Sequence, residues 1–318
     1  MTRRVANERD GHRLGAHAVA RVAAGGVGGT HEATDDNGPW ITHGAANRAM
    51  KPTVAEYLHQ KETVRGSLQD IDARVILAID ELQRAAGVSG DLLEIGVAYG
   101  QSAILLGYCV QASERLVVCD TFEDTKGVGS ENRADHALPH QGLQRSEFEQ
   151  NYLRFHLTLP DVIAGRSNEI DRDRLAAHFR LIHVDGSHAY VDIRADILIA
   201  RRLLGPGGVV ILDNWSQAHA PGVALAIWEE YARGDLIPLC LTQFKMYATW
   251  DRGGLTASAV DVRARRQPDF DISEAHQLGR CDVRQYSMKP PPVTTPQPAD
   301  PLWRRAVRYI RLTRGGRQ

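Results

Sequence analysis

The sequence predicts an α/β fold with a doubly wound, mostly parallel sheet, and three observations lead to this prediction. From Asp91 to Asp213, short apolar runs that end in glycine or aspartate alternate with segments of helical length. Such alternation is typical of parallel strands joined by right-handed crossovers. A loop containing glycines follows the first run, and the last two runs are only a few residues apart. The second spacing is that of a hairpin, so we expect the sheet to end in an antiparallel pair.

The composition is that of a globular protein, and it excludes several classes of function. The 318 residues are 43% hydrophobic and 24% charged, and 38 Lys+Arg balance 39 Asp+Glu to a formal net charge of -1. This balance argues against the basic field of a general nucleic-acid binder. The four cysteines form no CxxC pair, which argues against a zinc ribbon or a disulfide framework. No apolar stretch approaches the ~20 residues that span a bilayer, and no signal-peptide pattern is seen, so we expect a cytoplasmic protein.

The chain before residue 91 divides into two parts. Residues 1–50 are rich in Gly, Ala, Arg and His and lack a sustained apolar period, so we expect this segment to be disordered. Residues 51–90 are predicted to form a helical lead-in, because apolar side chains recur there, from Val54 to Leu82, mostly at helical spacing.

The segment 91–250 is predicted to be one domain that contains the sheet. Its parallel strands are expected at 91–96, 115–120, 161–165, 180–185 and 209–213. Helices are expected at 102–110, 190–204 and 222–233, and the antiparallel strands at 236–241 and 245–250.

An insertion at about 123–155 is long for a simple crossover within this domain. It carries a polar set of side chains that suits a sugar or a phosphorylated substrate: Lys126, Arg133, His136, His140, Arg145 and Tyr152. We interpret the insertion as a substrate lid, while a solvent-exposed helical insertion would show the same polarity.

The C-terminal part differs in composition from the domain. Residues 251–300 are predicted to be irregular and to end in a proline-rich linker, and 301–318 to form a basic amphipathic helix. Two interpretations of this tail stay open: peripheral contact of 301–314 with an anionic membrane at its inner surface, and docking on the protein's own domain or on a partner subunit. The tail and the helices at 53–86 both offer apolar faces that suit a homodimer.

Glycines follow the first strand at the point where a helix begins. Gly96 and Gly100 let a ligand approach the backbone there, and Glu94 and Ser102 flank them. The spacing is Gly-x-x-x-Gly with an acid two residues before it, which differs from the dinucleotide fingerprint GxGxxG. A nicotinamide-dependent dehydrogenase is therefore disfavoured.

The pattern Glu-x-Gly-x-x-x-Gly-x-Ser at 94–102 resembles motif I of class I S-adenosylmethionine-dependent methyltransferases, especially the catechol O-methyltransferase-like and bacterial sugar or natural-product O-methyltransferases. The resemblance covers about 91–250 and implies a seven-stranded, Rossmann-like methyltransferase sheet. It also implies that Asp120 binds the ribose hydroxyls and that Ser167 and Asn168 lie at the adenine edge. The cofactor-binding residues it implies are Glu94, Gly96, Gly100, Ser102, Asp120, Ser167, Asn168 and Asp185.

A second polar group lies at the ends of the fourth and fifth strands. Asp185, Asp213 and Asn214 offer two carboxylates and an amide, which suit Mg²⁺, and parallel strand ends meet at one edge of the sheet. The catechol O-methyltransferase-like enzymes have a metal site of this composition. Strand-end aspartates also serve as caps or cofactor contacts, so that alternative stays open.

His188 stands where the resemblance places a lysine base, and with Asp185 it forms the predicted catalytic pair. A histidine can act as the general base, ligate the metal or cap the following helix. His219 and Trp215 are placed near the acceptor. Lys245 could reach the mouth of the pocket from the last strand, but it is assigned to the surface.

The function implied is methyl transfer from S-adenosylmethionine to a hydroxyl of a small molecule or sugar, assisted by Mg²⁺. Two other functions stay open: a non-catalytic S-adenosylmethionine-binding scaffold, and a metal-dependent hydrolase or hydroxylase that uses the same fold. Nucleic acid is not expected as a substrate, because the sequence has neither an RNA-binding module nor an Asn-Pro-Pro-Tyr motif.

Overall fold

A computed structural model describes residues 50–122, 143–172, 175 and 177–290 of the chain. The predictions for residues 1–49, for 291–300 and for the basic tail at 301–318 lie outside the described residues. So do those for four members of the polar set in the insertion: Lys126, Arg133, His136 and His140. In the described ranges, no helix combines the length and the apolar composition needed to cross a bilayer.

A seven-stranded sheet forms the centre of the molecule. Its strands are β1 Asp91–Ile95, β2 Leu116–Asp120, β3 Asp161–Ala164, β4 Phe179–Val184, β5 Leu204–Asp213, β6 Ile237–Leu241 and β7 Lys245–Thr249. The spatial order is β3-β2-β1-β4-β5-β7-β6. Strands β1 to β5 are parallel, and β7 runs antiparallel to both β5 and β6. The predicted doubly wound sheet with an antiparallel end is therefore confirmed.

Helices cover both faces of the sheet. They are α1 Val54–Gln60, α2 Asp70–Ala85, α3 Gln101–Cys109, α4 Arg145–Phe155, α5 Tyr190–Leu203, α6 Pro221–Ala232 and α7 Ala257–Ala264. Thr53 begins α1 with a capping box, in which its hydroxyl accepts from the Glu56 amide and the Glu56 carboxylate accepts from the Thr53 amide.

Two hydrophobic cores lie on opposite faces of the sheet. Leu92 packs in the core formed with α1, α2, α3, α4 and α7, while the next residue, Leu93, packs in the core formed with α5 and α6. Leu181 and Ile182 alternate in the same way on β4. Since successive side chains of a strand point to opposite faces, central strands covered on both sides must be apolar throughout. A polar residue within such a strand is therefore informative.

The structure differs from the irregular segment predicted after residue 250. Besides α7, two small antiparallel sheets form there, from β8 Phe270–Ile272 with β11 Tyr286–Met288 and from β9 His276–Leu278 with β10 Cys281–Val283. Val260, Phe270 and Tyr286 are buried against the first core. Strands of three residues are too short to show a period in the sequence. Their position is set by packing on the domain.

A buried arginine ties the amino-terminal edge of the sheet together. Arg180 on β4 is fully buried, and its guanidinium donates to both carboxylate oxygens of Glu114 at 2.8 and 2.9 Å. It also donates to the Gln83 side chain at 3.0 Å and to the Cys109 carbonyl at 2.7 Å. These bonds join α2, the turn before β2 and β4 at the edge opposite the candidate site.

Candidate active site

Two adjoining cavities open at the carboxyl edge of the parallel strands. The larger, the His188 cavity, has a volume of about 410 Å³ and is lined in part by His188 and Asp213. The smaller, the Asp120 cavity, has a volume of about 210 Å³ and is lined in part by Asp120 and Asn168. Both cavities share part of their lining, namely Gly96, Ala98, Asp185 and Gly186. The two cavities therefore adjoin at these residues.

The glycine loop, residues 96–100 after β1, has a left-handed backbone at both of its glycines. Gly96 has φ +83°, and a Cβ placed there would lie 2.0 Å from the carbonyl oxygen of Asp185. Gly100 begins α3 with φ +92°, and its Cβ would lie 2.8 Å from a ring carbon of Phe148. Both glycines are thus required by close packing, and Gly96 in addition borders both cavities.

Asp120 holds the glycine loop in place. One carboxylate oxygen accepts from the backbone amides of Val97 and Ala98 at 2.7 and 2.9 Å, and the other accepts from the Phe122 amide at 2.8 Å. Each carboxylate oxygen has further lone pairs that can face the Asp120 cavity. The predicted contact with a ribose diol stays a prediction, and the loop-anchoring role is an additional one.

Ser167 and Asn168 lie in a short 3₁₀ helix after β3 and line the Asp120 cavity. The Ser167 hydroxyl donates to Asp196, an acid on α5 that lines the same cavity and that the sequence analysis missed. Burial raises the pKa of the Asp196 carboxyl to about 6. A signal was present, because Asp196 falls on the apolar face of its helix, between Ile193 and Ile197.

Glu94 lies behind the cavities, and the described lining does not include it. It is fully buried on β1, where it accepts from the Ser102 hydroxyl and lies 2.7 Å from Nδ1 of His183. Ser102 itself lines the His188 cavity. The structure thus connects Glu94 indirectly to the site through two neighbouring side chains, and the cofactor contact that the resemblance implied stays a prediction.

Lys245 is buried in the site, which corrects its predicted surface position. Only 3% of Lys245 is exposed, and its ammonium donates to the Asp213 carboxylate and lies 3.0 Å from Nε2 of His183. In the sheet, Lys245 on β7 is paired directly with Asp213 on β5. The sequence analysis also missed His183. Its signal was a polar side chain within β4, a strand that is buried along its whole length.

The two aspartates of this cluster differ in ionisation. Burial works against ionisation of Asp213, but the neighbouring Lys245 ammonium prevails and lowers the pKa of its carboxyl. Withdrawal from water and the adjacent Asp213 charge raise the pKa of Asp185 well above its ordinary value. Asp213 therefore carries the negative charge of the pair, and Asp185 holds a proton more readily.

The predicted metal ligands come together only in part. Donor atoms of His183, Asp185 and Asp213 all lie within 4.8 Å of one another, which is close enough to surround a cation. The amide nitrogen of Asn214, however, lies 3.1 Å from His188 Nε2. The Lys245 ammonium already contacts Asp213 and His183, so the cluster as arranged does not fit a divalent ion in addition.

His188 lies in the wall of the His188 cavity, three residues after Asp185 in the sequence. Because an amide nitrogen can only donate, the contact with Asn214 makes Nε2 of neutral His188 the unprotonated nitrogen. The His219 ring lies against His188 with a centroid distance of 5.4 Å and lines the same cavity. Trp215, in contrast, packs beside Trp228 in the second core.

The described part of the insertion reaches the Asp120 cavity through Leu143, and not through the predicted polar residues. Tyr152 on α4 is buried in the first core, and Arg145 pairs with Glu149 along the same helix at 2.6 Å. Neither residue lines either cavity. The interpretation of the insertion as a substrate lid stays a prediction.

The fold and the site together define a class of protein. A parallel sheet that ends in an antiparallel β7 inserted between β5 and β6, with a glycine loop after β1 facing an acid at the end of β2, is the arrangement of the class I, S-adenosylmethionine-dependent methyltransferases. Residues 93–215 match the model of a family described as a methyltransferase domain. The match identifies a methyltransferase domain in this part of the chain, as the sequence predicted. Among curated proteins, none matches the sequence.

Several solved methyltransferases resemble the chain. The O-methyltransferase NovP is 20% identical, with 57% of this chain and 81% of NovP covered and a TM-score of 0.47. CalS11, a calicheamicin methyltransferase, is 17% identical over 62% of this chain and 90% of its own, with a TM-score of 0.42. TomG from Streptomyces achromogenes, an O-methyltransferase involved in tomaymycin synthesis, is 22% identical over 59% of this chain and 81% of its own, with a TM-score of 0.36.

Proposed function

We propose that the protein transfers the methyl group of S-adenosylmethionine to a hydroxyl of a small molecule or sugar, such as a glycan or a glycosylated natural product. The observation that carries the proposal is the meeting of the two cavities at Gly96 and Asp185. One cavity presents the acid expected for a ribose diol, and the other presents a histidine suited to accept a proton. A methyl donor and an acceptor can therefore meet at the shared wall.

The Asp120 cavity is assigned to the adenosine part of the methyl donor. The Asp120 carboxylate suits the two ribose hydroxyls, and Ser167 and Asn168 suit the edge of the base. The backbone between Gly96 and Ala98 leaves room for the methionine part, which would extend into the His188 cavity. The sulfonium of the bound donor supplies an electrophilic methyl carbon.

His188 is assigned the role of general base. As the acceptor oxygen bonds to the methyl carbon, the carbon–sulfur bond breaks and its electron pair stays on sulfur, while the hydroxyl proton moves to Nε2 of His188. The Asn214 amide donates to this nitrogen before the acceptor binds, and the incoming hydroxyl would take its place. Alignment of the reacting atoms by the cavity walls supplies much of the rate enhancement.

Magnesium assistance is not carried into this proposal. The predicted ligands Asp185, Asp213 and Asn214 would leave a vicinal diol as the natural acceptor if they held Mg²⁺, but Lys245 occupies the cation position beside Asp213. The steps assigned to His188 and Asp120 do not depend on a metal ion.

The first test is calorimetric titration of the full chain with S-adenosylmethionine and S-adenosylhomocysteine. We expect micromolar binding, which corresponds to about 8 kcal/mol. Asp120→Asn should weaken it by ~10-fold or more, because a diol partner is lost. Asp161→Asn is the matched control, since Asp161 lies at the opposite end of β3 and is exposed. Absence of binding to the folded protein would refute the proposal.

The second test separates catalysis from binding alone. Formation of S-adenosylhomocysteine is measured against a panel of sugar and small-molecule hydroxyl acceptors. His188→Ala should lower turnover by ~100-fold or more while leaving donor affinity within a factor of a few. Donor binding without turnover on any acceptor would favour the non-catalytic scaffold instead.

A further inference from the structure

The register of the sheet brings a lysine and an aspartate together at the floor of the His188 cavity. Lys245 is the first residue of β7, Asp213 is the last of β5, and the two are direct partners in the antiparallel pairing. Both residues line the cavity, and both are buried to within a few per cent. The ion pair is therefore fixed by strand geometry and does not depend on a flexible surface side chain.

The Lys245 ammonium is held from two sides. It donates to Asp213, and Nε2 of His183 lies 3.0 Å away. Because an ammonium can only donate, Nε2 of His183 must accept, which leaves the Nδ1 proton of the neutral ring to be donated to Glu94 at 2.7 Å. Glu94, in turn, accepts from Ser102. A continuous chain of hydrogen bonds thus leads from the glycine-loop helix to Lys245.

The backbone of Lys245 is fixed as well. Its amide donates to the Thr242 hydroxyl at 2.9 Å, and its carbonyl accepts from the Thr242 amide at 2.9 Å. The same hydroxyl donates to Asp72 on α2 at 2.6 Å. These bonds define the turn before β7 and so define where the lysine side chain begins.

A divalent cation would need the atoms that Lys245 already uses. The group able to hold such an ion consists of His183, Asp185 and Asp213, and the ammonium contacts the first and the last of these. Two cations in contact with one carboxylate in a buried site repel each other strongly, because little water screens them. Occupation by Lys245 and by a metal ion are therefore mutually exclusive.

We propose that the Lys245 ammonium is the resident cation of this site, that it takes the place of a divalent metal ion, and that removal of its charge converts His183, Asp185 and Asp213 into a metal site. The inference deepens the proposed function by making the enzyme independent of divalent metal. The metal-binding part of its test does not depend on which reaction is catalysed.

The test is titration of the full chain with Mn²⁺, followed by calorimetry and by electron paramagnetic resonance of the free ion. We expect wild type to show no stoichiometric site and Lys245→Met to bind one ion at least ~100-fold more tightly. The double variant Lys245→Met, Asp213→Asn is the matched control and should lose this gain. Stoichiometric Mn²⁺ binding by wild type that Asp213→Asn abolishes would overturn the proposal.

A thermal-melting series covers the case in which Lys245→Met folds poorly. Mn²⁺ should raise the midpoint of Lys245→Met and of the more polar Lys245→Gln, and should leave that of wild type unchanged. No Mn²⁺ effect on either variant would also overturn the proposal, since the cluster would then not accept an ion.

A donor-binding and turnover series distinguishes this inference from the proposed function. S-adenosylhomocysteine affinity and methyl transfer by wild type should change less than ~2-fold after treatment with a chelator. A loss of ~10-fold or more in turnover that Mg²⁺ restores would overturn the metal independence while leaving the methyltransferase proposal intact. Failure of donor binding with the Mn²⁺ results as expected would overturn only the proposed function.

Discussion

Gly96 shows how one residue shapes the boundary between the two cavities. Its left-handed backbone turns the chain away from the end of β1, and the absence of a side chain lets the backbone of Asp185 pass close by. Because Gly96 and Asp185 each line both cavities, their contact forms part of the wall that the cavities share. The backbone at this position therefore contributes as much to the site as any polar side chain.

Gly96→Ala should destabilise the protein by about 3 kcal/mol or more, because a Cβ would collide with a backbone carbonyl that cannot move freely. Gly87→Ala is the control, since Gly87 has φ +70° with no atom within 4 Å of a Cβ, and should cost only about 1 kcal/mol. Urea unfolding measures both. Equal costs would show that strain in φ, and not the close contact, determines the effect.

Asp196 gives the protein a pH-dependent stability. Its pKa in the folded protein is raised to about 6, so the folded state holds the proton more tightly than the unfolded chain does. Stability is therefore expected to fall as pH rises from about 4 to about 6, and the full penalty applies above that range. Asp196→Asn should raise the free energy of unfolding by about 2 kcal/mol at pH 8 and by little at pH 4. A gain that did not increase with pH would contradict the assignment.

The sequence allowed some of these residues to be predicted and not others. Strand-end positions such as Asp120 and Asp213 could be predicted, because parallel strand ends meet at one edge whatever the packing. Lys245 could not, because its burial depends on the pairing of β7 with β5, which brings together residues from two distant parts of the chain. The indirect place of Glu94 depends in the same way on His183 on a neighbouring strand.

At the scale of the elements, the carboxyl and amino ends of the parallel strands contribute differently to the protein. The carboxyl edge carries the cavities, and the opposite edge is joined by the fully buried Arg180 and its bonds to Glu114 and Gln83. A buried charge that is well paired costs little, but loss of its partner leaves it uncompensated. The Arg180 network therefore holds α2 against β4, at a distance from the chemistry.

Glu114→Gln should destabilise the protein by about 2 kcal/mol, because the fully buried Arg180 would lose one of its two charged partners and keep only Asp80, which lies 2.9 Å away. Glu149→Gln is the control for a charge pair near the surface, along helix α4, and should cost less than about 0.5 kcal/mol. Denaturant unfolding at constant pH gives both values. Similar losses in the two variants would show that burial does not strengthen the contribution of the Arg180–Glu114 pair.

The elements after residue 250 show where prediction from the sequence ended. The central strands and helices were predictable because each is long enough to show its period or lies next to a glycine turn. The strands β8 to β11 are three residues each, so their apolar residues form no pattern. Phe270 of β8 and Tyr286 of β11 pack in the first core, and Val283 of β10 packs in the second, which explains why these strands are ordered.

For the whole molecule, donor binding and folding should be coupled. A ligand that binds only the folded state raises stability with its concentration, by about 2.7 kcal/mol at a hundredfold excess over Kd. S-adenosylhomocysteine at that excess should raise the melting midpoint by about 5 °C or more. The rise should be much smaller for Asp120→Asn and unchanged for Asp161→Asn. A midpoint that did not respond in any of the three proteins would speak against a built donor site.

The turn between β6 and β7 limits how the sequence can vary without loss of the site. An inserted or deleted residue there either breaks the two bonds between Thr242 and Lys245 or shifts β7 by one position against β5. A shift would send the lysine side chain to the other face of the sheet and set an uncharged residue opposite Asp213. Related chains should therefore tolerate substitution within this turn far better than any change in its length.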